Sequence, residues 1–466
     1  MQLAKSIMLK KIGFIKILFS VFLLCFSLTL FAQSNSPYSR YGLGDLSPRS
    51  NINTRGMGSI SAGYADILSV NSNNPASYSQ FQTFIEQRSK KVAQGRVVFD
   101  VGINMENRTL IQPNNANKFT SSDLLFSHLQ VGLPITRHWG MAFGIRPISR
   151  VGYLINDTAQ VRDANTNQPI ENAVTQFRGS GGAYLPTIGT GVSVKNFSIG
   201  FNAGYLFGNR ENTTLRSLIN DSLLYYSSEH SIATSYGHLF FNAGIQYAIT
   251  LKDDKKGNNT ILRLGLDGNL QQNLNASRDV LNQTFTRGSA GEELRIDSVF
   301  QNTGDKGTIV YPASYTAGFV LQNVKTNGSG WLIGADLTKN KWSQYRFYGQ
   351  TDDVKDNWML NVGGQVSPRP KENYFSRVAY RFGFFTGPDY VVVQNKLPQV
   401  GMSFGLGLPL PNYNRLSQSQ YTLVNIALEY GKRGNDNNLL KENLFRLSIG
   451  VNFTDLWFGK RTFQND

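Results

Sequence analysis

The feature that most constrains the fold is a strict two-residue alternation of apolar and polar side chains. In the stretch ENLFRLSIGVNF, near the end of the chain, every second residue is apolar: Phe445, Leu447, Ile449, Val451 and Phe453. A two-residue period is that of a β-strand with one apolar face and one wet face. The alternation leaves open whether the apolar face meets a protein core, a second sheet or lipid.

The same alternation recurs along the chain and predicts about fourteen strands of roughly nine to fifteen residues. We place them near residues 96–108, 122–134, 139–154, 183–194, 197–208, 234–249, 261–273, 313–322, 329–341, 356–367, 375–386, 398–407, 420–431 and 443–453. Strands of this length suit a membrane crossing, which needs ~9–11 residues, better than a soluble sheet, whose strands usually have ~5–6. After residue 32, no stretch approaches the ~20 apolar residues of a membrane helix.

The connections between these strands are of two kinds. Residues 136–138 and 194–196 are tight turns, whereas the polar stretches 155–180, 209–232 and 274–311 are predicted to be long loops. Short turns at one end and long loops at the other are typical of an outer-membrane barrel.

The polar faces of the strands carry charged side chains among many glycines and asparagines. These residues are Arg146, Arg263, Arg377, Arg381, Glu429 and Arg446. A soluble barrel would turn them outward, whereas a membrane barrel would place them in its lumen and its apolar face toward lipid. Three observations favour a membrane barrel: the strands are long, aromatic residues gather at their ends, and the chain is predicted to be exported. We therefore predict that the apolar faces contact lipid and that the charged residues form a network in the lumen.

The first 32 residues are predicted to be a signal peptide. Lysines precede a continuous apolar run over 17–32, and no acidic residue occurs in this part of the chain. This layout predicts a secretory signal that is cleaved after Ala32, and translation would start at Met1 or Met8. The alternative is that the segment stays uncleaved as a membrane anchor. Cys25, the only cysteine, lies in this run, so the mature chain has no disulfide and no thiolate metal site.

The mature chain is basic, and its charge suits contacts with the phosphates of membrane lipids better than contacts with nucleic acid. The formal charge of +15 falls to +11 when the four lysines of the signal peptide are removed. The remaining cations are scattered, without a basic stripe interleaved with aromatic residues, so we expect no nucleic acid partner. Phosphates of outer-membrane lipid and lipopolysaccharide are the expected partners; ordinary solvated loops and lumen arginines explain the charge equally well.

No pattern in the sequence predicts an enzyme. The four histidines, His128, His138, His230 and His238, lack a paired metal-ligand spacing. No G-x-S-x-G occurs, and the glycine-rich stretches lack the lysine of a phosphate-binding loop. We therefore expect no catalytic residue, no bound metal and no cofactor.

The segment before the barrel has a different composition. Residues 33–90 are rich in Gly, Ser, Asn and Pro and lack sustained alternation. With so few large apolar residues this segment cannot form its own core, and a lumen lined by Arg, Asn and Gly would be a suitable host. Within it, 59–68 is predicted to form a short helical turn and 73–77 a turn. The predicted organisation is thus a signal peptide (1–32), this segment (33–90), a barrel (91–456) and a tail (457–466).

Part of this segment resembles a known family. RGMGSISAGYADILSVNSNNPASYS (55–79) resembles the N-terminal signature of the FadL/TodX family of outer-membrane transporters of hydrophobic compounds. In that family a glycine-rich opening leads through a helical stretch with an aspartate into Asn-Pro-Ala, often followed by Gly, where this chain has Ser77. The matching positions are Gly56, Met57, Gly58, Gly63, Asp66, Asn74, Pro75 and Ala76. The stretches at 36–46 and 453–461 resemble versions from Bacteroidota.

The resemblance implies a mechanism. The segment would fold into the barrel as a hatch, and a hydrophobic solute would bind in the lumen and leave sideways through a gap in the wall. The expected hatch residues are Gly58, Gly63, Asp66, Asn74 and Pro75. Asp66 would pair with a lumen arginine such as Arg377, Arg381 or Arg446 and keep the hatch closed; the alternative is that these are turn residues without a gating role.

The leading interpretation is an all-β, antiparallel transmembrane barrel of about 14 strands in the bacterial outer membrane, with passive uptake of hydrophobic small molecules. One alternative is a non-transporting barrel that acts as a scaffold or shuttle in protein export, as the resemblance implies for type IX secretion. A soluble periplasmic β-protein is a further alternative. A transporter should have an apolar pocket and a break in one wall strand, whereas a scaffold should have a filled lumen and an exposed apolar patch on its loops.

Overall fold

The computed structural model describes most of the predicted mature chain. The described residues are 36–85, 92–113, 118–162, 165–219, 226–254, 258–287, 293–410 and 420–457. The predicted signal peptide and the tail beyond residue 457 lie outside them.

The part of the chain before the wall contains little regular structure. Its elements are β1 (Asp45–Leu46), α1 (Ile52–Arg55), β2 (Thr83–Ile85) and two 3-10 helices at Pro37–Arg40 and Pro75–Gln80. The helical turn predicted at 59–68 is wrong: the helix lies earlier in the segment, where the side chain of Asn51 accepts a hydrogen bond from the backbone N–H of Thr54.

The remaining strands form one antiparallel sheet. They are β3 (Val92–Ile111), β4 (Lys118–Thr136), β5 (Trp139–Arg162), β6 (Pro169–Val194), β7 (Phe197–Leu218), β8 (Ser227–Asp253), β9 (Asn259–Asn269), β10 (Gln272–Arg287), β11 (Glu293–Tyr311), β12 (Ser314–Val324), β13 (Gly330–Asn340), β14 (Arg346–Phe347), β15 (Asn357–Ser367), β16 (Ala379–Val393), β17 (Asn395–Leu410), β18 (Tyr421–Arg433) and β19 (Lys441–Trp457). Two further 3-10 helices lie at Trp342–Gln344 and Tyr374–Arg377.

The sheet closes on itself because β19 pairs with β3. β9 and β10 lie end to end in one position of the wall, since both pair with β8, and β11 and β12 share the next position in the same way. Counted by position, and leaving out the short strands β1, β2 and β14, the barrel has 14 strands. The predicted fourteen-stranded antiparallel barrel is confirmed.

The barrel is apolar outside and polar inside. On β3, Phe99, Ile103 and Met105 are exposed, whereas Asp100 and Asn104 on the opposite face are buried. The alternation read from the sequence therefore turns its large hydrophobic residues away from the lumen, as in a membrane barrel.

The apolar outer face has a limited height. On β8 the outward positions from Leu251 to Leu239 are almost all apolar, and the next outward positions, such as Ser235 and Ser231, are small or polar. A belt of this extent matches the ~25 Å apolar band of membrane barrels. None of the described helices is long and apolar enough to cross a membrane.

The long loops predicted at 155–180, 209–232 and 274–311 are wrong. Most of these residues continue the strands β5 to β8, β10 and β11 beyond the apolar belt, paired by regular backbone hydrogen bonds. Beyond the belt both faces of the sheet meet water, so the sequence loses the alternation that marks a strand although the backbone pairing persists.

Candidate functional site

The two ends of the barrel differ. Both Val92 and Trp457, the first and last residues of the wall, lie at the end that holds the tight turns near 137–138 and 195–196. We call this the terminus end, and the opposite end, toward which the long strands extend, the loop end.

Residues 36–85, the interior segment, run through the lumen from the loop end to the terminus end. At the loop end, Ser36 Oγ donates to Glu442 Oε1 at 2.7 Å and the hydroxyl of Tyr38 donates to the carbonyl of Leu440 at 2.7 Å. At the terminus end, β2 pairs with the first residues of β3. The segment is therefore attached to the wall at both ends.

A buried ion-pair cluster holds the segment near the loop end. Asp45 contacts Arg108 at 2.5 Å and Arg433 at 3.3 Å, and these arginines also contact Glu442, at 2.7 and 3.3 Å. Arg433 also reaches Asp389 at 2.8 Å. Burial by itself would raise the pKa of Asp45, but the guanidinium groups of Arg108 and Arg433 lower it to about 2. Asp45 is thus an ionised anchor of the segment, and the sequence motif did not single it out.

A second anchor lies in the middle of the lumen. Arg55, at the end of α1, is 1% exposed and donates to Asn104 Oδ1 at 2.6 Å and to Ser448 Oγ at 3.1 Å. Its Nε lies 3.9 Å from Glu429. Burial lowers the pKa of Arg55 to about 10, although the Glu429 carboxylate opposes the shift. With a further hydrogen bond to Ser127 Oγ at 3.3 Å, the guanidinium contacts four wall strands: β3, β4, β18 and β19.

A third anchor is the carboxylate of Asp336 on β13. Its Oδ2 accepts hydrogen bonds from the backbone N–H groups of Ser61, at 2.5 Å, and Ala62, at 2.9 Å. Charged acceptors make stronger hydrogen bonds than neutral ones. The sequence did not single out Asp336, because nothing in the sequence of β13 indicates that this side chain contacts Ser61 and Ala62.

The two predicted hatch glycines both touch the wall. Gly58 has a φ of +71°, and a Cβ there would lie 2.5 Å from the carbonyl oxygen of Val362. A Cβ on Gly63 would lie 2.6 Å from the carbonyl oxygen of Arg263. Only residues without a side chain allow the backbone to approach the wall this closely.

The expected ion pair of Asp66 is wrong. Its carboxylate accepts hydrogen bonds from the Tyr64 hydroxyl at 3.0 Å, the Leu68 N–H at 3.2 Å and the Ser69 hydroxyl at 3.3 Å. These partners all belong to the interior segment, so Asp66 organises a local turn. The charged side chains of the segment that reach the wall include Asp45, Arg49 and Arg55 instead.

Asn74 and Pro75 join the segment to β6, β7 and β8. The side chain of Asn74 caps the following 3-10 helix and donates to Ala62 O at 2.7 Å and to Ile245 O at 3.2 Å. A Cβ on Gly200 of β7 would lie 2.2 Å from the carbonyl carbon of Pro75. The two residues are therefore packed directly on the wall.

Two of the predicted lumen arginines have specific partners. Arg446 contacts Glu106 at 2.7 Å and Glu429 at 3.1 Å. Arg381 donates to Gln365 Oε1 at 2.7 Å and Asn425 Oδ1 at 2.8 Å. Arg446 joins β19 to its neighbours β3 and β18, and Arg381 joins β16 to its neighbour β15 and to β18, two positions along the wall.

The other three arginines have different surroundings. Arg146 and Arg263 face the lumen, and in each the Nη1 atom is buried without a hydrogen-bond partner. Arg377 is not in the lumen, contrary to the prediction. It lies exposed in a 3-10 helix at the terminus end and donates to the carbonyl of Lys371 at 3.1 Å, because β16 begins later than predicted.

An apolar cluster packs inside the lumen near the loop end. The rings of Trp342 and Tyr390 stack with centroids 4.1 Å apart, and the hydroxyl of Tyr345 donates to Gly42 O at 2.9 Å. The interior segment contributes Tyr38 and Leu43 to the same cluster. The cluster therefore packs the interior segment against the wall at this end of the lumen.

A buried serine, histidine and aspartate lie together without forming a catalytic triad. Ser127 Oγ lies 3.1 Å from His128 Nδ1, and His128 Nε2 lies 2.9 Å from Asp100 Oδ1. All three are buried against the segment, and Asp100 also accepts the N–H of Val70 at 3.4 Å. Among the described residues, no group of three or more His, Cys, Asp or Glu side chains is placed to hold a metal ion.

Several cavities lie inside the barrel, three of which are the following. One of about 310 Å³ lies inside the lumen and has a largely charged and amide lining, with Asp267 and Arg146 among its residues. One of about 1240 Å³ opens at the loop end, and one of about 640 Å³ opens at the terminus end beside Tyr64 and Asp66. The lumen cavity has both charged and apolar lining residues, with Phe240 and Tyr311 among the latter.

Among the described strands, the wall has a long gap between β4 and β5, where pairing stops at Leu129 and Ile145, and a shorter seam between β8 and the strand position shared by β9 and β10. Residues 238–242 of β8 pair with β7 but with neither β9 nor β10. The side chain of Gln272 fills the gap: its Oε1 accepts from Phe241 N at 2.8 Å and its Nε2 donates to Phe241 O at 3.1 Å. Inside, Phe240 and Tyr311 meet edge to face with centroids 5.3 Å apart.

A family model matches nearly the whole chain. It is the model of BamG, and it matches residues 8–464.

The chain belongs to the BamG family.

The fold of this BamG-family chain is also that of solved outer-membrane channels. The toluene transporter TodX of Pseudomonas putida is 14% identical with a TM-score of 0.50, over 89% of this chain and 99% of that one. A FadL homologue of Pseudomonas aeruginosa is 13% identical with a TM-score of 0.50, over 90% of this chain and 100% of that one. No curated protein matches the sequence. At these identities the likeness establishes a FadL-like barrel fold.

Proposed function

We propose that this BamG-family protein is an outer-membrane barrel with a closed lumen that acts as a scaffold in protein export rather than as a pore. The observation that carries the proposal is the interior segment, held to the wall by Asp45, by Arg55 and by the Asp336 carboxylate. Removing one partner of a buried ion pair costs ~3–5 kcal/mol. Passage through this lumen would require several such contacts to break together.

The proposed location is the bacterial outer membrane of a Bacteroidota-like cell, after cleavage of the signal peptide. The apolar belt supports membrane insertion, and the FadL-like fold supports the outer membrane. Cations at the rims of the belt would contact phosphates of lipid and lipopolysaccharide.

The surface proposed to meet an exported protein is the β10–β11 hairpin beyond the belt. On β11, Leu294, Ile296, Val299 and Phe300 are exposed, although this part of the strand extends past the lipid-facing residues. Exposed apolar patches in water mark interaction sites. We therefore propose that this surface binds another protein.

Photo-crosslinking in the native cells tests the scaffold role. A crosslinking amino acid at Phe300 should give discrete adducts with exported or outer-membrane proteins, whereas the same residue at lipid-facing Phe201 should give none. If Phe300 yields no protein adduct while deletion of the gene abolishes uptake of toluene, the scaffold proposal fails.

A second candidate is the passive uptake of hydrophobic molecules with lateral exit. The wall seam at 238–242 favours it, since there Phe240 and Tyr311 line the lumen cavity and the side chain of Gln272 takes the place of backbone pairing. In this case Gly58, Gly63, Asp66, Asn74 and Pro75 would act as hatch residues. TodX is described as a toluene transporter.

Toluene entry into proteoliposomes separates the two candidates. The scaffold proposal predicts the same rate as for protein-free liposomes. Replacing Gln272 with Ala removes the side chain that fills the seam, so a transporter should then take up toluene faster. A wild-type rate above that of protein-free liposomes would favour transport.

A further inference from the structure

The wall strand β4 has an open edge in its loop-end half. Its pairing with β5 stops at Leu129 and Ile145, whereas its pairing with β3 continues to Lys118. Among the described residues, no strand pairs with residues 124–128 on the side of β4 that faces β5. The backbone N–H and C=O groups that point to this side form an unpaired strand edge.

β5 leaves β4 because of its local sequence. Pro147 has no N–H to pair, and Ile148 is the extra residue of a bulge opposite β6. A bulge bends its strand. Beyond the bulge, Ser149 and Arg150 pair with β1 of the interior segment instead of with β4. The interior segment therefore covers the edge of β5, and in the described part of the chain it forms no strand with β4.

The open edge lies within the apolar belt. Leu124 and Phe126 face outward and are exposed, as is Met105, the residue of β3 opposite Leu124. The next outward position of β4 is the polar Ser122, where the belt ends. In hydrocarbon no water can bond the backbone, and open sheet edges exposed to lipid do not occur in membrane proteins. The edge at 124–128 is therefore incomplete without a further strand.

An opening separates β4 from β5 at this level. The cavity of about 1240 Å³ lies between residues 118–125 of β4 and 150–154 of β5. Arg150 Nη2 reaches Asp123 Oδ2 across it at 3.3 Å. This ion pair lies on the lumen side of the sheet, since Asp123 is opposite Glu106, which is buried in the lumen. A side-chain contact thus joins the two strands here and leaves the backbone edge of β4 accessible from the outside.

We infer that this edge of β4 binds an extended strand of another outer-membrane barrel protein by β-strand addition. Main-chain hydrogen bonds give such a complex its affinity, and alternate side chains give it specificity. The strand that fits has apolar residues beside Leu124 and Phe126 and polar residues beside Asp123 and Arg150, which is the alternation of a membrane barrel strand. A lipid chain fills space but pairs no backbone group. The inference rests on the proposed role in protein export and names the class of partner.

Disulfide trapping with a synthetic strand tests the inference on the full barrel in detergent. The probe is a peptide of residues 442–453 of this chain, a membrane strand with the required alternation. The chain after residue 32 has no cysteine, so Phe126→Cys places a single thiol beside the open edge. Peptides with one cysteine at successive positions should be trapped with a two-residue period, because only alternate side chains share the outward face of Phe126.

Phe384→Cys is the matched control. Phe384 is exposed and faces outward on β16, which pairs with β15 and β17 on its two sides at this residue. No peptide should be trapped there above the yield of a scrambled peptide of the same composition. If F126C does not fold, Leu124→Cys takes its place. Trapping without the two-residue period, or no more trapping than in F384C, overturns the inference.

Hydrogen exchange of wild type gives a readout that a bound lipid would not change. The cysteine-free peptide should slow exchange of the amides in 124–128 that point toward β5, about half of those present, and the scrambled peptide should not. Unchanged exchange with both peptides also overturns the inference. The scaffold proposal survives that result, because it is tested separately by the adducts at Phe300.

Discussion

At the scale of single residues, the lumen is held by charges whose partners are distant in the chain. Asp45 meets Arg108 and Arg433, and Arg55 meets Asn104 and Ser448. The family signature drew attention to Asp66, which makes only local hydrogen bonds. A sequence pattern identifies residue types and spacing, but the partner of a charge is set by where the barrel places it.

Replacing Asp45 with Asn should loosen the loop-end part of the segment. The variant loses the charge-assisted contacts to Arg108 and Arg433, which are worth roughly 1.5–3 kcal/mol. Hydrogen exchange of residues 36–46 should then become about 10- to 100-fold faster. Asp66→Asn is the matched control and should leave exchange of those residues unchanged; equal acceleration in both variants would contradict the anchor assigned to Asp45.

Acid should have the same effect on wild type. The pKa of Asp45 is about 2 in the folded protein, against ~3.9 for an aspartate in an unfolded chain. Because the folded-state pKa is lower, its contribution is complete above about pH 4 and is lost as the pH falls toward 2. Exchange of 36–46, corrected for intrinsic rates, should accelerate over this range in wild type; an equal acceleration in D45N would assign the effect to other groups.

At the scale of elements, the strands in the belt could be predicted and their extensions could not. All fourteen predicted strands occur because one face of each meets lipid and the other meets a polar lumen, which imposes the alternation. Beyond the belt, β10 and β11 are wet on both faces, so 274–311 was predicted to be a loop although most of it is paired strand. The composition of the interior segment predicted that it packs inside the barrel, but the sequence did not show which of its residues bind the wall.

An arginine on the lipid-facing side of β8 should impair membrane assembly. Phe241→Arg and Ile245→Arg each place a charge in the apolar belt, at a cost of ~2–4 kcal/mol near the midplane. Ser235→Arg lies on the same face of the same strand beyond the belt, so it should insert as wild type. The fraction of heat-modifiable, membrane-inserted protein measures the effect, and normal insertion of both belt variants would contradict the assigned faces.

At the scale of the whole molecule, the barrel is a wall built around its own interior segment. The segment crosses the lumen from end to end, and the aromatic cluster around Trp342 packs beside it near the loop end. The segment and the cluster therefore occupy much of the space along the barrel axis. This arrangement supports a scaffold more directly than a channel.

Single-channel conductance in planar bilayers tests the closed lumen most directly. Wild type should show no resolvable channel, because the anchored segment fills the pore. A variant lacking residues 36–81 should conduct, which shows that the wall itself encloses an aqueous path. Steady porin-like conductance from intact wild-type protein would contradict the account.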